Sequence, residues 1–143
     1  SYKDGLIERV KLKDSIYKLE KTEIQIKNKV TVVEKLIRTS EEYKKFLITG
    51  IMEDFQYIEM LEDFLLEIKK VDTGKLKETE WDGQAFQHKI TRKKVEFTHT
   101  IFGECEEYPK WSCKFDEYKK VLYGWDKFLK MPESLETKLE IEI

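Results

Sequence analysis

The sequence predicts an α+β fold in a single domain, an antiparallel sheet with a long central helix and a C-terminal helix packed on it. Three features carry this. In FDEYKKVLYGWDKFL, residues Phe115, Tyr118, Val121, Leu122, Trp125, Phe128 and Leu129 recur at i, i+3, i+6, i+7, i+10, i+13 and i+14, one apolar stripe on a helix. Upstream, two runs rich in β-branched and aromatic residues, 84–90 and 95–101, flank the polar Thr91, Arg92, Lys93 and Lys94, the pattern of a hairpin. Between 41 and 70, Leu47, Ile51, Phe55, Ile58, Leu61, Leu65 and Ile68 form one helical face that Phe46, Tyr57 and Phe64 widen. A chain of 143 residues with 40% hydrophobic content buries one core and is short for two, so residues 1–143 are read as one domain. Within it, 1–80 hold an N-terminal segment and the central helix, and 81–143 a strand pair, a helix and a terminal strand.

Taken in order, residues 1–21 carry Leu6, Ile7, Val10, Leu12, Ile16 and Leu19 among charges and suggest a loose amphipathic helix. Over 22–37 a heptad spacing competes with a concentration of β-branched residues. The latter, broken by Lys27, Asn28 and Lys29, favours a hairpin. Thr39 and Glu42 have the spacing of a capping box, and a helix is expected from there to about Lys70, with Gly50 as the candidate kink. Residues 71–80 look like a polar connection, and Asp82–Gly83 like a turn. Pairing Ile90 with Val95 sets His88 opposite Phe97, Gln87 opposite Thr98 and Phe86 opposite His99. Phe86, Ile90, Val95, Phe97, Ile101 and both histidines then share one face. Trp111–Lys114 suggests a short strand, Asp116 the cap of the last helix, Pro132 its stop, and Leu139, Ile141 and Ile143 a final strand with one buried face.

Composition removes several classes. With 27 basic and 29 acidic residues the net charge is -2, so no global basic field points to nucleic acid. No apolar run approaches the roughly 20 residues that span a bilayer, and the first residues lack a signal-peptide core, so a cytoplasmic protein without membrane attachment is expected. The two cysteines, Cys105 and Cys113, are not in a CxxC and are expected to be reduced. GxxxxGK, GxGxxG, HExxH and GxSxG are absent. His88, His99, Cys105 and Cys113 supply zinc ligand types at a spacing that matches no common module, so no metal and no cofactor are expected.

Charge is concentrated in two places. From Glu53 to Glu67 there is no basic residue: Glu59, Asp63 and Glu67 lie off the apolar face, Glu53 at its edge, and Asp54 and Glu62 inside it. Lysine partners elsewhere would account for the two inside, and the others could form an acidic docking surface. The loop GECEEYPKW gathers Glu104, Glu106, Glu107 and Tyr108 before Pro109. On the apolar hairpin face, His88 and His99 are either packed with bonded tips or an acid/base or metal pair.

Over 81–143, the strand pair, the acidic loop, KFDEYKKVLYGWDKFLKMPES with its FxxYxxxLxxWxxFL pattern, and the closing LEIEI resemble the small immunity proteins found beside bacterial polymorphic and contact-dependent growth inhibition toxins. The resemblance implies a non-enzymatic cytoplasmic protein that binds and neutralises one cognate toxin, often a nuclease, by occluding its active or substrate-binding surface. The contacts expected on that reading are Glu53, Glu59 and Asp63 on the central helix, and Glu104, Glu106, Glu107 and Tyr108 on the loop. Two other classes stand beside it. One is a regulatory or structural module that forms a homodimer through the wide apolar face of 41–70. The other is an enzyme built on Asp54, Glu62, His88 or His99.

Overall fold

The structure is a computed structural model and describes residues 10–12, 17–19, 24–25, 30–33, 36–132 and 139–141. Where residues 1–21 were expected to be helical, it has two strands, β1 (Val10–Leu12) and β2 (Tyr17–Leu19), paired antiparallel. The hairpin expected over 22–37 is redistributed. β3 (Ile24–Gln25) pairs with β2, whereas β4 (Val30–Val33) pairs with β5 (Leu36–Thr39). Ile24, Val30, Thr31, Val32, Val33 and Ile37 thus lie in strands, as their stiff side chains favour. The predicted capping box rests on the Thr39 side chain, which lies outside the described part.

The central helix begins as α1 (Ser40–Glu42), passes without a gap through a π-helical stretch (Tyr43–Ile48), and continues as α2 (Thr49–Asp54). It ends there. Phe55 (φ -126°, ψ 67°) leaves the helical region, Tyr57 (φ -112°, ψ 125°) is extended, and α3 (Ile58–Asp72) starts afresh. The single helix to Lys70 is thus two, and Gly50 is not the break. Gly50 lies where the helix crosses the sheet, and a Cβ there would come within 3.3 Å of the Phe86 and Phe97 rings. Its missing side chain allows the close approach.

The expected connection 71–80 holds a strand, β6 (Glu78–Asp82), followed by β7 (Phe86–Thr91), β8 (Lys94–His99) and β9 (Trp111–Lys114), an antiparallel sheet in the order β6-β7-β8-β9. In β6, Glu78, Glu80 and Asp82 are exposed and Thr79 and Trp81 are partly covered. Charges on an edge strand discourage further pairing and also hide the strand from a hydrophobic pattern. The β7–β8 register is the predicted one, Phe86 opposite His99 through Ile90 opposite Val95. Ile101 falls beyond the end of β8 and is 77% exposed, a correction to its place on the apolar face.

Helix α4 (Phe115–Leu129) lies against the sheet as expected, with Phe115, Tyr118, Val121, Leu122, Trp125 and Phe128 buried. Its first helical residue is Phe115, so Asp116 is not the cap. Instead Glu117 Oε1 accepts the Lys114 amide at 3.1 Å while its Oε2 accepts the Tyr43 hydroxyl at 2.7 Å. Asp116 stays exposed and pairs with Lys120 one turn on. The final strand, β10 (Leu139–Ile141), is present and runs parallel to β1.

Phe46 stacks on Trp111 and Phe55 on Trp81, so the central helix and the sheet share one aromatic core. Leu47, Ile51, Phe55, Leu61 and Ile68 are all within 1% of full burial in this single chain. Much of the apolar face on which a homodimer would depend is therefore covered by the chain itself, whereas Tyr57 on its flank is 63% exposed and Ile58 and Leu65 are only partly covered.

Candidate functional site

The end of α2 is fixed by its last side chain. Asp54 Oδ1 accepts the Ala85 amide at 2.7 Å, and Oδ2 accepts the Phe86 amide at 3.1 Å and lies 2.6 Å from His88 Nε2. On the other side of the ring, Nδ1 lies 2.8 Å from the Tyr118 hydroxyl. A Cβ on Gly83 would fall 2.0 Å from the Asp54 carboxyl carbon, so the carboxylate requires glycine there. Both the Asp54 and His88 side chains are 0% exposed. Burial lowers the His88 pKa from its ordinary value, outweighing the Asp54 hydrogen bond and the Asp54 and Asp82 charges that act the other way. Burial, with the Cys113 and Asp54 charges, pushes the Tyr118 hydroxyl well above its ordinary range. The contact is therefore a hydrogen bond from neutral imidazole Nε2–H to carboxylate rather than an ion pair, and Tyr118 O–H donates to Nδ1.

Asp54, His88 and Tyr118 have the residue types of a proton relay. A general base, however, must come within hydrogen-bonding reach of the proton it takes. These side chains are closed off from any substrate, and what they do is tie α2, β7 and α4 together. Two indoles complete the knot, since Trp81 Nε1 donates to the Asp54 carbonyl at 3.0 Å and Trp125 Nε1 to the Phe55 carbonyl at 2.7 Å. Carbonyls left over at a helix end are thereby satisfied. Of the two carboxylates expected to have lysine partners, Glu62 has Lys130 at 3.2 Å, and Asp54 has the histidine instead.

The histidines are not a pair. His99 Nδ1 accepts the Ile101 and Phe102 amides at 3.2 and 3.1 Å, which curls the chain as it leaves β8. Its ring lies 4.2 Å from that of Tyr108 and 4.9 Å from that of Phe102. Lys45 places its ammonium 4.4 Å over the Tyr108 ring and donates to the Glu107 carbonyl, fastening the loop to the π-helical stretch. Tyr108 is thus half-buried and anchors the loop, whereas Glu104, Glu106 and Glu107 are exposed. Beside them Ile101 and Phe102 are 77% and 63% exposed.

Glu59 and Asp63 are exposed on α3, and Glu53 is half-buried at the end of α2. The end of α2 and the root of the acidic loop are both bonded to the Gln84–Phe86 segment. Asp54, next to Glu53, bonds Ala85 and Phe86, and Thr100, at the root of the acidic loop, donates to the carbonyls of Gln84 and Ala85. Asp63 lies one helical turn farther along α3 than Glu59. Among the described residues no group of three or more His, Cys, Asp or Glu side chains is gathered to hold a metal ion, and Cys105 and Cys113 are free thiols. No described helix is long and apolar enough to cross a membrane.

No protein-family model, no curated protein and no solved structure matches this chain. Sequence reasoning missed Lys45 and Trp81 as organisers of the two regions. Lys45 is one of many exposed-type lysines, and only the wide apolar face beside it hinted at contacts with the loop. Trp81, the one aromatic in an acidic segment, was a usable signal.

Proposed function

We propose that this chain is an immunity-type inhibitor, a non-enzymatic cytoplasmic protein that binds one cognate bacterial toxin and blocks its active or substrate-binding surface. The observation that carries this is the 100–108 loop, where three exposed glutamates sit beside exposed Ile101 and Phe102 on a backbone pinned by His99, Tyr108 and Lys45. An acidic surface with an apolar anchor complements a protein whose own surface is basic, as that of a nuclease must be to hold phosphates. Carboxylates placed there compete with the nucleic-acid backbone, and pre-ordering the loop lowers the entropy lost on docking. Asp54 and His88, two of the groups that could suggest catalysis, are spent inside the core, which favours binding over turnover. Glu53, Glu59 and Asp63 on α2 and α3 supply further carboxylates for the same partner on this reading.

The test is to capture proteins of the source cell on the immobilised chain, purify what is retained, and assay it on plasmid DNA and on transfer RNA with and without the chain. The expected result is a basic toxin domain whose nuclease activity is abolished near equimolar chain. A captured protein whose activity is unchanged by excess chain would contradict the proposal.

A further inference from the structure

Between the end of α2 and the start of β7 lies a cavity of about 120 Å³. Glu53, Tyr57, Met60, Trp81 and Asp82 line it, and Asp54 forms part of its wall. Pockets for drug-sized ligands run to about 300–1,000 Å³. This one has room for a single side-chain head. It exists because α2 stops at Asp54 and the chain crosses to α3 through Phe55–Tyr57, leaving the Tyr57 and Met60 side chains 63% and 50% exposed at its mouth.

Its chemistry has one sign. Three aromatic residues, Phe55, Tyr57 and Trp81, and a thioether are accompanied by the carboxylates of Glu53 and Asp82, and none of the residues lining it is basic. Behind the wall the Asp54 carboxylate has only neutral donors, the Ala85 and Phe86 amides and an imidazole that burial keeps uncharged. A buried anion without a cationic partner projects its charge into the nearest space. Aromatic faces with carboxylates at their edge attract organic cations through the ring quadrupole and through charge.

We propose that this cavity receives one basic side chain of the partner protein, an alkylammonium or guanidinium head seated against Tyr57 and Trp81 and paired with Glu53 and Asp82. Naming the occupant as a partner's side chain rests on the toxin-binding reading; the preference of the cavity for such cations does not. The cavity adjoins the Gly83–Ala85 turn to which the acidic loop is also bonded. A partner docked on the loop lies within reach of it.

The experiment titrates the isolated chain with N-acetyl-lysine amide, N-acetyl-arginine amide, the neutral N-acetyl-norleucine amide and choline, following the Trp81 indole and Gly83 amide signals by NMR. The expected result is a saturable shift with the lysine or arginine analogue and none with norleucine. Binding should weaken about three- to fivefold in Tyr57→Ala and in Asp82→Asn. Both positions are exposed, and an unchanged circular dichroism spectrum confirms the fold of each variant. Absence of a saturable shift up to about 0.1 M probe, or equal shifts with norleucine, overturns the cation site. Choline binding more than about tenfold tighter than either side-chain analogue overturns the occupant in favour of a free quaternary amine. Because no partner is present, failure here leaves the inhibitor reading to its own capture assay, and failure there leaves the cation site standing.

Discussion

Replacing Asp54 by alanine would leave the Ala85 and Phe86 amides and the His88 Nε2–H without their acceptor behind the cavity wall. Stranding several buried donors at once costs about 3–5 kcal/mol, and urea denaturation of Asp54→Ala should show a loss of that size. Tyr118→Phe removes only the donor to His88 Nδ1 and should cost about 1–2 kcal/mol. The same histidine makes stability depend on pH in a defined direction. Its folded pKa lies below its unfolded one, so just below the unfolded value the unfolded chain binds the extra proton. Stability is therefore complete above about pH 6.5 and falls as the pH drops towards the folded pKa, by up to about 1.4 kcal/mol per unit. Denaturation midpoints between about pH 7.5 and about pH 5.5, one unit to either side of the ordinary histidine pKa, check this. A His88→Gln variant that still folds should lose this part of the slope.

At the scale of elements, the break between α2 and α3 is made by distant partners. Phe55, Gln56 and Tyr57 contain neither glycine nor proline, and the sequence offers Gly50 as the nearest breaker. The helix stops instead because the Asp54 side chain turns to β7 and two indoles take the Asp54 and Phe55 carbonyls. Trp125→Phe keeps an aromatic ring on α4 but gives up part of its buried volume and leaves the Phe55 carbonyl without its donor. It should cost about 1–3 kcal/mol and raise amide exchange locally over residues 55–61. What was legible in the sequence follows from the same physics. The β7–β8 register and the face of α4 were readable because periods of 2 and 3.6 leave a hydrophobic trace. β6 was not, since an acidic edge strand has little apolar pattern. Asp54 could be singled out as a carboxylate on an apolar face, but its partner is 34 residues away and nothing local pairs Asp54 with His88. The strands at the N-terminus were misjudged because weak apolar spacing in a charged segment suits either period.

For the molecule as a whole, a core that uses its titratable groups as internal fastenings leaves recognition to the surface. Exposed Glu104, Glu106 and Glu107 sit beside exposed Ile101 and Phe102, and Glu53 and Glu59 add negative charge on α2 and α3, although the net charge of the whole chain is only -2. Local fields of this kind act mainly on the encounter rate and are weakened by salt. The apolar contacts of Ile101 and Phe102 should govern dissociation instead. Glu104→Lys, Glu106→Lys and Glu107→Lys together alter exposed side chains, so the denaturation midpoint should stay within about 0.5 kcal/mol of the parent. The most direct measurement is the association rate of the captured toxin with the parent chain and with this triple variant, at low and at physiological salt. A fall of about tenfold or more in the variant, with the difference shrinking as salt rises, is the predicted result. Equal rates and equal inhibition by the two proteins would contradict an inhibitor that works through this acidic surface.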